Sequence, residues 1–323
     1  MHASLRIALS ATLLSSLFAC GGGGGGATAD SPLSGKFVDA AVAGLTYTTE
    51  TQSGTTDASG LFKYKSGETV TFKLYGQQIS AAAGYTTLTP FDTSDTTLSA
   101  DYSINLIRFL MALDTDSNPS NGIMLPTFNG SFNVNFNQDL FAFERDATVA
   151  SFLTSYAEGR SLATVQNAIT HFTSSIANAN DNYTFNFNGK TATSTLTSSK
   201  CTNNLALEMH YSFGLTSVEM VGSDTFITNG NTICTSNAPE TFSISYSSLA
   251  AGEFFDCAPN CSYAQLNRVA YVPSDFDGKT VIVWTWHTPN TKVITQVTRV
   301  IADPANHNNP QALSTLKEVL IFN

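Results

Sequence analysis

Residues 183–196 read Tyr183-Thr184-Phe185-Asn186-Phe187-Asn188-Gly189-Lys190-Thr191-Ala192-Thr193-Ser194-Thr195-Leu196. Tyr183, Phe185 and Phe187 fall on alternate positions, the period of a half-buried strand, and Asn188-Gly189 is a dipeptide that tolerates the left-handed backbone of a tight turn. The spacing predicts a hairpin in which 183–187 folds back on 191–196. Further strand-like runs follow at Leu205 to Phe213, Phe242 to Tyr246, Leu266 to Val272, Thr280 to Trp286, Lys292 to Ile301 and Leu316 to Phe322. No long helical pattern separates them, so residues 178–323 are expected to form an antiparallel β-sandwich or open barrel.

Upstream, Phe37, Val38, Val42, Leu45 and Tyr47 lead into a Gly54 to Gly60 turn. Leu61, Phe62 and Tyr64 come next, and Val70, Phe72 and Leu74 alternate before Gly76. Short strands punctuated by glycine predict a small antiparallel sandwich. Helical periodicity then takes over. Ser103 is placed to cap a helix running through Leu113, apolar on nearly every side apart from Asn105 and Arg108 and therefore buried. Asp146 and Ser161 are placed to cap two more. The expected fold class is mainly β, with a sandwich and its helical insert over 35–177 and an all-β domain over 178–323. The boundary falls in the polar stretch Ile176 to Asn182.

The stretch Val38 to Tyr47, followed by Gly54-Thr55-Thr56-Asp57-Ala58-Ser59-Gly60-Leu61-Phe62-Lys63-Tyr64, resembles the transthyretin-like or carboxypeptidase-regulatory-like β-sandwich modules of bacterial surface proteins. The helical segment through Phe172 resembles one that follows such modules in bacterial lipoproteins of unknown activity. The resemblance covers about Gly35 to Ile176 and implies a scaffold without catalysis of its own.

At the N-terminus, Arg6 precedes an apolar run from Ile7 to Phe18, too short for a membrane-spanning helix and suited to a signal peptide. The run ends in Leu17-Phe18-Ala19-Cys20, which resembles a bacterial lipobox, and Gly21 to Gly26 follow as a flexible tether. The resemblance implies a signal peptide over 1–19, lipidation of Cys20, an anchor and tether over 20–34, and attachment to the outer membrane through acyl chains.

Across all 323 residues, 42% are apolar and 12% charged, with a formal net charge of −10. That balance excludes a phosphate-gripping surface, so no nucleic acid partner is expected. With Cys20 assigned to lipid, Cys201, Cys234, Cys257 and Cys261 remain in an oxidising compartment, and Cys201–Cys234 with Cys257–Cys261 is the preferred disulfide pairing. The rival zinc site lacks paired CxxC knuckles.

Asp114-Thr115-Asp116-Ser117-Asn118-Pro119-Ser120-Asn121 sets oxygen ligands at alternate positions, as a structural calcium ion requires, with Asp114, Asp116, Asn118 and Asn121 as candidate ligands. Pro119 stands where an EF-hand-type loop has glycine, and Leu125 where it has glutamate. The competing reading is an Asx-rich turn that needs no metal. Trp284, Trp286 and His287 end one strand, where the two tryptophans form either a stacking platform for a flat ligand or part of the core. No G-x-S-x-G, H-E-x-x-H or P-loop motif is present. The functional expectation is a lipid-anchored envelope protein presenting a non-catalytic binding or adhesive surface to a glycan or surface-protein ligand. The alternatives are an extracytoplasmic hydrolase of glycan or polyester and an envelope structural or assembly subunit.

Overall fold

The structure is a computed structural model that describes residues 31–93, 100–179, 183–199, 201–223, 226–229, 233–251, 253, 255–273, 278–287, 293–302 and 312–323. The expected signal peptide, Cys20 and most of the tether lie outside the described residues. The chain divides into residues 1–31 and 32–323, and the architecture below is that of the second part. Among the described residues no helix is long and apolar enough to cross a membrane.

The first elements are β1 (Leu33–Phe37), β2 (Val42–Ala43), β3 (Thr46–Thr48), β4 (Ser53–Thr55), β5 (Leu61–Tyr64), β6 (Thr69–Leu74), β7 (Gln77–Ala83) and β8 (Thr87–Leu88). Seven of them, all but β2, form a three-stranded sheet, β5-β1-β8, and a four-stranded sheet, β4-β3-β6-β7. Alternation does the sorting: Val70, Phe72 and Leu74 of β6 are buried while Thr69 is exposed. Phe37 and Phe62 from the first sheet meet Phe72 from the second at ring separations of 4.6 and 5.0 Å, closing the expected sandwich. The turn before β5 is built by Asp57, whose Oδ1 accepts from the backbone N–H of Ser59 and Leu61. Gly60 follows at φ +71°, and a Cβ there would stand 2.7 Å from the Phe37 carbonyl oxygen, so only glycine fits.

Next come α1 (Ala100–Leu113), β9 (Ile123–Met124), α2 (Leu140–Glu144), α3 (Ala147–Tyr156) and α4 (Val165–Asn178). Helix α1 is buried as its composition predicts, its two polar exceptions included. Asn105 donates to the carbonyls of Phe136 and Gln138, and Arg108 to those of Ala163 and Leu140 and to Glu144. Two helix starts differ from expectation. Ser103 lies inside α1, where its hydroxyl donates to the Pro90 carbonyl. Thr164, rather than Ser161, caps α4 by accepting from Asn167 N–H. Asp146 caps α3 as expected, and Asp139 caps α2, which the periodicity did not reveal.

The remaining elements are β10 (Thr184–Asn186), β11 (Thr191–Ser198), β12 (Ala206–Phe213), β13 (Ser217–Gly222), β14 (Phe226–Asn229), β15 (Ile233–Ser236), β16 (Glu240–Ser245), β17 (Asn260–Ser262), α5 (Tyr263–Leu266), β18 (Arg268–Pro273), β19 (Gly278–His287), β20 (Val293–Ala302) and β21 (Ala312–Phe322). Eight strands join in the order β16-β13-β12-β11-β21-β20-β19-β18, antiparallel throughout, and among the described residues this sheet does not close into a barrel. The fold is therefore mainly β with open antiparallel sheets. The expected hairpin at Asn188-Gly189 is corrected. The turn exists, with Lys190 N–H donating to the Phe187 carbonyl and Gly189 at φ +77°. Its two arms nevertheless pair elsewhere, β10 with β17 and β11 with β12 and β21. A tight turn redirects the chain, but the pairing follows the apolar faces, and those of Phe185 and Phe187 go under the large sheet.

Both expected disulfides are present, Cys201–Cys234 and Cys257–Cys261. The segment carrying the second lies over the inner face of the sheet, where Phe255 packs on Phe187 and Phe213 with ring separations of 5.5 and 5.0 Å. A separate apolar cluster runs across residue 178, joining Phe91, Ile104, Ile169 and Phe172 to Tyr263 and Val269. At its centre the Tyr263 hydroxyl donates to the Thr87 carbonyl at 2.9 Å.

Candidate binding face

Strand alternation gives the eight-stranded sheet two chemically distinct faces. On β12, Leu207, Met209, Tyr211 and Phe213 are buried, while Ala206, Glu208, His210 and Ser212 are exposed. On β11, Ala192 and Ser194 point inward, and Thr191, Thr195 and Thr197 are exposed on the opposite face with Thr193 half-buried among them. Register carries the outer face across the sheet: Thr241, Val221, His210, Thr193 and Ile321 stand side by side on five strands. Ser243, Glu219, Ser212 and Thr191 form the adjacent row.

His210 is central to this face. Its Nε2 lies 3.1 Å from Glu208 Oε1, and its Nδ1 lies 3.5 Å from the Thr193 hydroxyl. The His210 and Glu208 side chains are 62% and 67% exposed, so water screens the pair and it contributes little to stability. Beside it is a shallow depression of about 350 Å³, walled by Val221 and Gly222 of β13 and by Ser236 and Pro239. Gly222 sits at φ +155°, and a Cβ there would stand 2.4 Å from the Glu208 carbonyl oxygen, so this wall depends on a glycine. The Cys201–Cys234 bond ties β15 to the segment preceding β12, reinforced by Asn203 donating to the Cys234 carbonyl at 2.7 Å.

The inner face holds a polar group that no sequence motif marks. Tyr211 donates to Glu318 Oε1 at 2.5 Å, beside the fully buried Ser194. Burial pushes the Glu318 carboxyl above its ordinary value. Burial, followed by the neighbouring Glu318, raises the Tyr211 hydroxyl. Leu196↔Glu318 and Ala192↔Tyr211 are strand register pairs, so three strands had to be correctly aligned before this contact became visible.

The remaining candidates are dispersed. Asp114 is buried, accepting from Asn118 N–H at 2.8 Å and Met124 N–H at 3.0 Å. Asp116 accepts from Asn118 N–H and from the Asn121 side chain, each at 2.9 Å. The turn thus supplies donors to both carboxylates. Burial is the largest influence raising the Asp114 carboxyl, while hydrogen bonding from Asn121 lowers that of Asp116. Among the described residues no three His, Cys, Asp or Glu side chains are grouped to hold a metal. Trp284, Trp286 and His287 stand on β19, opposite Gln296, Ile294 and Val293 of β20; their side chains lie outside the described residues. Asp256 makes a two-pronged bond with Arg268 at 2.7 and 3.1 Å. His171 is held inside, its Nε2 2.6 Å from the Asp39 carbonyl oxygen.

The chain matches no family model, no curated protein and no solved structure.

Proposed function

We propose that this protein is a lipid-anchored cell-envelope protein of the outer membrane whose C-terminal sheet presents a non-catalytic binding surface to a glycan or surface-protein ligand. The observation carrying this reading is the outer face of β16-β13-β12-β11-β21, an exposed array of Thr, Ser and Glu around His210 on a rigid antiparallel scaffold. Hydroxyl groups both donate and accept, and a flat strand array positions them at fixed spacings. The test is co-sedimentation of the full chain with isolated envelope fragments. Thr193→Arg with Ser243→Arg should abolish co-sedimentation without lowering the melting temperature, and undiminished binding would overturn the assignment of this face.

A hydrolase is favoured by one specific observation, the line from Thr193 through His210 to Glu208, which has the hydroxyl, base and orienting carboxylate order of a nucleophilic triad. Hydrolysis of a fluorogenic ester that disappears in His210→Ala would establish it; equal rates in both proteins would remove it. The proposal also places a structural calcium ion at Asp114, Asp116, Asn118 and Asn121, supported by the adjacency of two carboxylates. Calorimetric titration tests that placement, and an absence of binding heat together with identical melting curves in calcium and chelator would remove it.

A further inference from the structure

A cleft of about 380 Å³ opens between β7 and the extended segment 133–137, far in sequence from the binding face. Its floor is apolar: Ile79, Val134 and Phe136 are buried. Its rim is made of amides, with Gln78, Asn133, Asn135 and Asn137 all exposed. The asparagines alternate with Phe132, Val134 and Phe136, so an extended backbone turns one set outward and the other into the core. Among the described residues no charged side chain lines the cleft.

The walls are fixed before any ligand arrives. Gln77 grips Val134 with both ends of its amide, donating to the carbonyl at 2.8 Å and accepting from the N–H at 2.9 Å. Asn105 from α1 donates to the Phe136 and Gln138 carbonyls, and Asn135 Oδ1 accepts from Asn137 N–H. Gln78 and Asn133, by contrast, make no side-chain hydrogen bond within the described chain. Two unengaged amides thus flank an apolar floor on a rigid frame, an arrangement that spares the ordering cost of binding.

We infer that this cleft binds a short neutral saccharide. A pyranose presents apolar C–H faces and a rim of hydroxyls that donate and accept, which matches an apolar floor beneath amides that also do both. A carboxylated or phosphorylated ligand would find no counter-charge among the described residues. Strand addition by an extended peptide is opposed by the state of β7: the Ile79 carbonyl is taken by Tyr102 at 2.8 Å, and Gln77 is already spent on Val134.

Saturation-transfer NMR on the full chain provides the test, with N,N′-diacetylchitobiose and cellobiose as probes. Saturable transfer to at least one of them is expected, weakened about tenfold or more in the Gln78→Ala, Asn133→Ala double variant. Both side chains are exposed, so the variant should keep the wild-type melting temperature. It also leaves the outer face of the large sheet untouched, and failure of that assignment can be read separately. No transfer to either sugar, transfer unchanged in the variant, or binding of an uncharged strand-forming hexapeptide in place of the sugars would overturn the inference.

Discussion

Asp39 is fully buried, and neither carboxylate oxygen has a hydrogen-bond partner within the described chain. Its Oδ1 lies 3.7 Å from His171 Nε2. Burial holds the Asp39 carboxyl well above its ordinary value of 3.8. Burial also draws His171 below 6.5, opposed by the Asp39 carbonyl and the Asp114 charge. A raised carboxyl contributes stability that is fully present below pH 3.8 and is lost as pH rises through its folded value. The lowered histidine contributes stability present above pH 6.5 and lost as pH falls through its own folded value. Asp39→Asn preserves shape and removes the titration, so it should be more stable than wild type at neutral pH, with the advantage shrinking toward pH 4. Paired melting curves across that range measure it. The Asp39–His171 contact was illegible in the sequence because 132 positions separate the two residues and neither belongs to a local motif.

Among the elements, the helix starts show what sequence conveys and what it does not. Asp146 accepts from Thr148 and Val149 N–H at 2.7 and 3.3 Å and also from the Gln138 side chain. Asp146→Ala should cost about 1 to 2 kcal/mol, read from denaturant unfolding. A single Asp before an apolar run was enough to locate α3. Ser161 offers the same chemistry ahead of α4, yet the helix begins after Thr164, whose hydroxyl accepts from Asn167 N–H at 3.2 Å. Strands β6, β10 to β12 and β18 to β21 were legible from alternating or continuous apolar runs, whereas β7, β13, β14, β15 and β17 were not picked out by them. Strand partners were not legible, since Asn188-Gly189 specifies a turn while the choice of β17, β12 and β21 depends on residues tens of positions away.

For the whole molecule, the Cys201–Cys234 link closes a long loop, and removing it should cost roughly 3 to 4 kcal/mol through the entropy returned to the unfolded chain. The Cys201→Ser, Cys234→Ser double variant should therefore melt lower than wild type, and calorimetry in oxidising buffer checks this. An even cysteine count and the short turn-forming stretch Cys257-Ala-Pro-Asn-Cys261 made that pairing readable without a structure. Cys20→Ser should shift the protein from the membrane fraction to the soluble fraction, or leave it unprocessed, on immunoblotting of fractionated cells. The apolar cluster that crosses residue 178 was less legible, since Tyr263 is an unremarkable aromatic until the Thr87 carbonyl is found against it.

The first strand of the folded body has a mechanical consequence. Tension transmitted through the N-terminal segment enters at Pro32 and reaches β1, which lies between β5, running antiparallel to it, and β8, running parallel. A pull directed along β1 slides it against both neighbours at once, so its hydrogen bonds bear the load together instead of opening one after another like a zip. Survival under such a load is governed by how fast the body ruptures rather than by its equilibrium stability. Under the lipid anchorage proposed above, β1 is thereby placed to act as a clamp when the N-terminal segment is pulled.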